Sequence, residues 1–320
     1  MTRTRHVVRR IGFALVTVVA AVVANFLIFR AAPGSPISAL SLRPGSSPAY
    51  RQHLLHQAGL DRSLPQQFGD YVGNLLHGRL GVSIANQQLV SANLKTAFLN
   101  TLPLVALATV MALALGLVVG VGLAWMRSSR LEGPGLLTVL TTYSLPTQWI
   151  GLVLLFVFAG TLPSGGISDE FLVDPSFFTA VGDRLQHMIL PATALALSIF
   201  GQYAFIVRSA MLEVLGEDFM LTARAKGLSS MRLLTRHALS NALLPIVRLT
   251  ALIVGSISGG TILVEAVFSY PGIGRAISSA VSSRDYPMLQ GAFLMLTILV
   301  VFFNLVADLL AVKLDPRVTE

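Results

Sequence analysis

The sequence contains no cysteine, which excludes a disulfide framework, a thiolate metal cluster and a cysteine nucleophile. Charge is scarce as well. Asp, Glu, Lys and Arg make up 12% of the 320 residues, about half of the roughly 25% that a soluble globular chain carries. No stretch reads Gly-x-x-x-x-Gly-Lys followed by Ser or Thr, and Lys226 and Gly227 stand in the wrong order for one. The chain therefore has no P-loop with which to hydrolyse ATP. The six histidines are scattered, and His53 and His56 have no nearby Asp or Glu to complete a ligand set, so no metal site is expected. No Ser/His/Asp constellation can be placed, and the apolar runs lack polar catalytic groups at membrane depth. The chain is not expected to be an enzyme in its own right.

What is abundant is apolar surface: 54% of residues are hydrophobic and mean hydropathy is +0.72. That much apolar material excludes a disordered chain and points to an integral membrane protein. The net charge of +8 would suit nucleic acid, but the basic residues flank apolar stretches instead of clustering on one face with aromatics. Nucleic acid is not an expected partner; membrane lipid is.

A spanning helix needs about 20 mainly apolar residues. Six runs qualify: 11–29, 96–126, 136–162 with Pro146 inside it, 188–207, 243–267 and 288–307. The fourth carries Pro191 in its first turn, where a missing N–H does least harm. The first run is longer than a signal-peptide core and lacks a clean cleavage site after it, so it reads as an uncleaved anchor. With the N-terminus cytoplasmic, the inside segments hold thirteen Lys and Arg and the short outside loops hold three, Arg184, Arg275 and Arg284. Both termini are therefore placed inside. The expected organisation is all-α: a cytoplasmic N-terminus (1–10), transmembrane helix 1 (11–30), an extracytoplasmic loop subdomain (31–95), a core with helices 2–6 and the loop 208–241 (96–311) and a cytoplasmic C-terminus (312–320). The outer loop opens with Pro, Gly and Ser and continues into weakly amphipathic stretches at 50–58 and 66–76. No internal repeat is evident.

Charges inside spans are functional candidates by default. Arg248 lies one turn inside the cytoplasmic end and can snorkel, and Glu265 and Asp308 sit near span ends. All three read as structural. No carboxylate stands near a midplane, as an ion-coupled relay would require. The spacings Gly116-x-x-x-Gly120 and Gly255-x-x-x-Gly259 permit close helix approach.

The most informative segment is the cytoplasmic loop 208–241. It places Glu217 and Asp218 early and Arg224, Lys226 and Arg236 late, the order that suits a helix dipole. Gly227 can supply a left-handed cap that ends one short helix, and Ser229 can start the next. A plain basic loop would not need some thirty residues here.

This loop resembles the coupling loop of ABC importer permeases, in the branch that handles dipeptides, oligopeptides and nickel. The likeness runs along the chain. It includes Arg30, Pro33 and Gly34 after the first span, and Gly59 to Pro65 and His77 to Ser83 in the outer loop. It continues with Asn100 to Pro103, Leu190 to Ala192, Val264 to Gly274, Arg284 to Pro287 and Leu314 to Arg317. Two positions depart from the family pattern: Leu239-Ser240 replaces the usual Leu-Pro, and Leu221 stands where the coupling motif opens with Glu. The resemblance implies a type I permease fold with six transmembrane helices, in a bacterial plasma membrane. It implies a heterodimer with a second permease, two ABC ATPase subunits and an extracytoplasmic solute-binding protein. No cofactor is expected on this chain, with ATP and Mg held by the ATPases. Contact with the ATPase would fall to Glu217, Asp218, Thr222, Ala223, Arg224, Ala225, Lys226 and Gly227. Tyr270, Pro271, Gly272 and Gly274 would form a tight outside turn, a candidate extracytoplasmic gate. Peptide is the favoured cargo over nickel or another small solute, since no ring of His or carboxylates is offered. An ion-coupled secondary transporter, which would show inverted repeats and broken midplane helices, and a membrane assembly factor are the alternatives.

Overall fold

The computed structural model describes residues 3–31, 61–218, 246, 249–250, 253 and 261–314. Among these residues the chain is helical, with one isolated bridge between Val82 and Leu89. In chain order the helices are α1 (Arg3–Ala31), α2 (Leu64–Leu76), α3 (Val90–Trp125), α4 (Glu132–Ser144), α5 (Thr147–Val157), α6 (Phe177–Leu215), α7 (Ile273–Ser282) and α8 (Tyr286–Leu314). Residues 261–267 form a further helical stretch. Four helices are long and apolar enough to cross a membrane, and a fifth crossing follows if the bent pair α4–α5 is one span. The expected fifth run, 243–267, falls largely outside the described residues, as do Gly255 and Gly259.

Helices α3 and α6 form the centre of the bundle. Their contact depends on Gly116 and Gly120, which do allow close approach. A side chain at Gly116 would strike Tyr203, and one at Gly120 would come within 2.7 Å of the Ala204 carbonyl oxygen and the Val207 Cβ. Without a membrane-specific hydrophobic drive between helices, such small-residue contacts are what hold them together. Tyr203, Ala204, Val207, Met211, Ala112 and Leu123 fill one core cluster there. A second cluster, towards the other end of α6, joins Leu104, Ala108, Met188, Leu190, Val264, Phe268 and Tyr270.

The helix α1 lies against α8. Asn25 Nδ2 donates to the Gln290 carbonyl at 3.0 Å, and Arg10 pairs with Asp308 at 2.8 Å near the other end. Its remaining surface presents Phe13, Val16, Val19 and Val23, among others, outward, as a lipid-facing helix must. The amphipathic α2 crosses onto this pair through Phe68 and Tyr71, whose rings sit 5.2 and 5.7 Å from that of Phe26. Gln66 accepts from the Ser63 backbone N–H in the capping box that starts α2.

Two expectations need correction. The apolar run 136–162 is not one helix but α4 and α5, bent by 97° at Leu145 and Pro146. Proline cannot donate the backbone bond that continuity requires and disfavours the helical conformation in the residue before it. Pro191 does not lie in the first turn of the fourth span, because α6 begins at Phe177 and carries Pro191 in its interior. The Ser176 hydroxyl caps this extension by accepting from the Thr179 N–H at 3.3 Å. Asp183 and Arg184 lower the local hydropathy and so hide the added turns from an apolar window.

Candidate functional site

The turn that joins residues 261–267 to α7 is built on one buried carboxylate. Glu265 is 0% exposed. Its Oε1 accepts from the Thr101 hydroxyl at 2.7 Å, and its Oε2 accepts from the Gly274 N–H at 2.7 Å and the Arg275 N–H at 3.2 Å. The last two donors belong to the first turn of α7, where backbone N–H groups lack partners within the helix and where a negative group interacts favourably with the dipole. Thr101 works in both directions: its oxygen also accepts from the Ile273 N–H at 2.9 Å. One side chain on α3 thus completes a cap begun by Glu265.

The neighbouring residue repeats the tie. Asn100 Nδ2 donates to the Pro271 carbonyl at 2.9 Å, and the Tyr270 hydroxyl donates to the Asn100 carbonyl at 2.9 Å. The Tyr270 N–H returns to the Glu265 carbonyl at 2.9 Å, while the Arg275 guanidinium donates to the carbonyl of Ser269. Ser269 takes a positive φ of 48° to make the turn. The glycines are required by contact. A Cβ on Gly272 would overlap the Glu265 carboxyl, and one on Gly274 would run into the backbone of Ile262. The loop after α5 closes the far side, where the Gly166 N–H donates to the Phe268 carbonyl at 3.1 Å.

Tyr270, Pro271, Gly272 and Gly274 are therefore brought together, clamped onto Asn100 and Thr101. Sequence reasoning singled out these four, read Glu265 only as structural, and gave Thr101 and Asn100 no role of their own. Asn100 and Thr101 stood in the Asn100 to Pro103 block, and a carboxylate inside an apolar run followed by Pro-Gly-x-Gly was the available signal for the third. At the opposite end of the bundle, α6 ends at Leu215, with the Gly216 N–H donating to the Glu213 carbonyl at 3.0 Å. Glu217 and Asp218 follow directly. Thr222, Ala223, Arg224, Ala225, Lys226 and Gly227 lie outside the described residues. Close by, Arg208 on α6 pairs with Glu132 at the start of α4, and Glu132 also accepts from the Ser128 N–H at 2.8 Å.

A second buried carboxylate organises the hairpin before α3. Asp285 is 1% exposed and accepts from the Ser83 hydroxyl, the Ala85 N–H at 3.2 Å and the Met288 N–H at 3.2 Å. The bridge between Val82 and Leu89 is thereby fixed to the start of α8.

Residues 112–320 match the family described as the inner membrane component of binding-protein-dependent transport systems, and residues 3–105 match the N-terminal family of the same membrane component. The chain is 36% identical over 333 residues to the dipeptide transport system permease protein DppB of Escherichia coli K12, covering 98% of each. It is 38% identical over 329 residues to the di/tripeptide transport system permease protein DppB of Pseudomonas aeruginosa UCBPP-PA14, again covering 98% of each. To the oligopeptide transport system permease protein AppB of Bacillus subtilis 168 it is 33% identical over 317 residues, with 98% of each covered. With both family matches in chain order and relatives aligned end to end, the chain belongs to the inner membrane components of binding-protein-dependent transport systems.

Proposed function

We propose that this chain is a permease subunit of an ATP-driven importer of di- and oligopeptides, built on six transmembrane helices with both termini cytoplasmic. A second permease completes the translocation path as a heterodimer. Two ABC ATPases with ATP and Mg drive the cycle, and an extracytoplasmic solute-binding protein delivers cargo to a surface that includes the 31–95 subdomain. The observation that carries this reading is the likeness to dipeptide and di/tripeptide permeases over 98% of both chains.

The same reading assigns roles to individual residues. Glu217, Asp218 and the segment Thr222, Ala223, Arg224, Ala225, Lys226 and Gly227 seat against the ATPase. Closure of the ATPase dimer moves that segment as a lever between inward-open and outward-open states. Tyr270, Pro271, Gly272 and Gly274 act as the outer gate. Support for the gate comes from its construction, since hydrogen bonds from α3 make the turn a rigid piece that must travel with α3.

The test is purification of the chain in mild detergent with its native neighbours, followed by mass spectrometry and an ATPase assay with candidate peptides. Co-purification of two P-loop subunits, a second permease and a binding protein, with hydrolysis stimulated by peptide, is the expected result. A lone chain, or a complex that no peptide stimulates, overturns the reading.

A further inference from the structure

The bend between α4 and α5 lies at a specific depth, and its neighbours fix it. Below it, the Tyr143 hydroxyl accepts from Gln202 Nε2 at 2.9 Å, and a side chain at Gly201 would strike Tyr143. Above it, Ile150 packs in the cluster that contains Met188, Leu190 and Leu195. The break at Leu145 and Pro146 therefore runs beside the stretch of α6 between Leu195 and Gly201, the middle of the apolar run 188–207. Here the backbone leaves helical geometry, and no side chain caps either α4 or α5 at the break.

The break is also open. Thr141, Tyr143, Ser144, Leu145, Pro146 and Trp149 are all exposed. Irregular backbone at membrane depth is not tolerated against lipid; it must be buried in protein or line a water-filled cavity. Beside Leu145, Pro146 and Trp149, the polar side chains of Thr141, Thr142, Ser144, Thr147 and Gln148 gather at the break in a segment that is otherwise apolar. Thr141 and Ser144 donate to the carbonyls of Leu137 and Leu140 at 2.8 and 2.6 Å, which leaves their oxygens free to accept. Gln148 adds a donor and an acceptor one turn beyond. Between residues 133 and 168 there is no Asp, Glu, Lys or Arg.

We propose that the break at 144–146 faces the aqueous translocation path, where Thr141, Ser144, Gln148 and Gln202 offer neutral hydrogen-bonding partners to the backbone amides of passing cargo. The absence of fixed charge makes this surface indifferent to the charge of a peptide's side chains. Its amide and hydroxyl groups match what every peptide carries. The cargo part of this inference rests on the peptide reading above; the aqueous path does not.

The cysteine-free sequence makes the test direct. Single replacements S144C and Q148C, with V19C as a control on the outward face of α1, are made in the assembled complex. Each is treated with a membrane-impermeant methanethiosulfonate, and modification of this chain is followed by mass spectrometry. S144C and Q148C are expected to react about tenfold or more faster than V19C in at least one nucleotide state, as water access requires. Dialanine with the binding protein is expected to slow them. Rates no faster than V19C with and without ATP overturn the proposal, and place the break against the partner permease. Fast modification that dialanine does not slow upholds the aqueous path and counts against peptide cargo, which separates the two failures. If S144C does not assemble, Q202C on α6 reports on the same surface with the same two outcomes.

Discussion

Thr101 and Glu265 stand 164 positions apart, yet the threonine hydroxyl meets the carboxylate at 2.7 Å in a site sealed from solvent. This contact joins α3 to the turn before α7, and its geometry makes a clear chemical demand. Oε2 faces two backbone donors, Gly274 and Arg275. In Glu265→Gln, only one end of the side chain can accept. If the amide oxygen faces the backbone, the amide nitrogen donates to Thr101, whose own hydroxyl hydrogen then loses its acceptor in a buried site; if the oxygen faces Thr101, the amide N–H groups confront the two backbone donors. Hydrogen bonds to charged groups contribute about 1.5–3 kcal/mol each. The expected result is a lower thermal unfolding midpoint of the purified complex, together with reduced uptake. An unchanged midpoint for E265Q would show that the carboxylate is not the keystone of the turn.

The two glycines of the same turn are predicted to differ. The obstacle to a Cβ at Gly272 is a side chain, the Glu265 carboxyl, whereas at Gly274 it is the Ile262 backbone, with the Ile262 nitrogen within 2.8 Å. A side chain can shift at a cost of about 1–3 kcal/mol for overpacking, while backbone in a packed helix cannot move alone. Gly274→Ala should therefore abolish stable assembly, with Gly272→Ala impaired but recoverable. Expression and size-exclusion profiles of the two variants decide the order, and equal behaviour would contradict it.

At the hairpin before α3, Asp285→Ala removes the acceptor for Ser83, Ala85 and Met288 at once. Loss of the cap on α8 alone costs about 1 kcal/mol, and the hairpin loses its anchor. Hydrogen exchange should show faster exchange at the Ser83 and Val90 amides, which now donate to Gln88 and Gly81 at 2.9 and 3.0 Å. Protection equal to that of the parent would mean that the bridge of Val82 and Leu89 holds the hairpin without Asp285.

The sequence was most legible where a single local property decides the outcome. Long charge-free runs mark α1, α3, α6 and α8, and the spacing of Gly116 and Gly120 marks the face where α3 meets α6. The bend at Pro146 was not legible, because proline is tolerated in membrane helices whenever neighbours satisfy the freed groups. The N-terminal extension of α6 was hidden by Asp183 and Arg184. The importance of Glu265 depends on Thr101, a partner that no local window contains. Glu265 looked like a residue near a span end, and only the fold shows that its surroundings leave it no water.

The last prediction concerns the loop 208–241 and rests on its sequence. The sequence leads us to expect Gly227 to end a short helix in the left-handed conformation, which costs a glycine little and a β-branched residue about 1–2 kcal/mol. In Gly227→Val the helix has two ways out: it runs on past its end, or the following segment leaves at the wrong angle. Either outcome misplaces Thr222 to Lys226 relative to the ATPase while leaving the membrane bundle intact. The variant should therefore assemble at the parent level yet fail to convert ATP hydrolysis into uptake. The ratio of peptide transported to ATP consumed in proteoliposomes is the measurement that separates this from simple instability, because a destabilised complex loses both activities together. ATP-driven uptake at the parent rate, with normal assembly, would remove the loop from the coupling route and leave the Arg208–Glu132 pair as the contact between the end of α6 and α4 to test next.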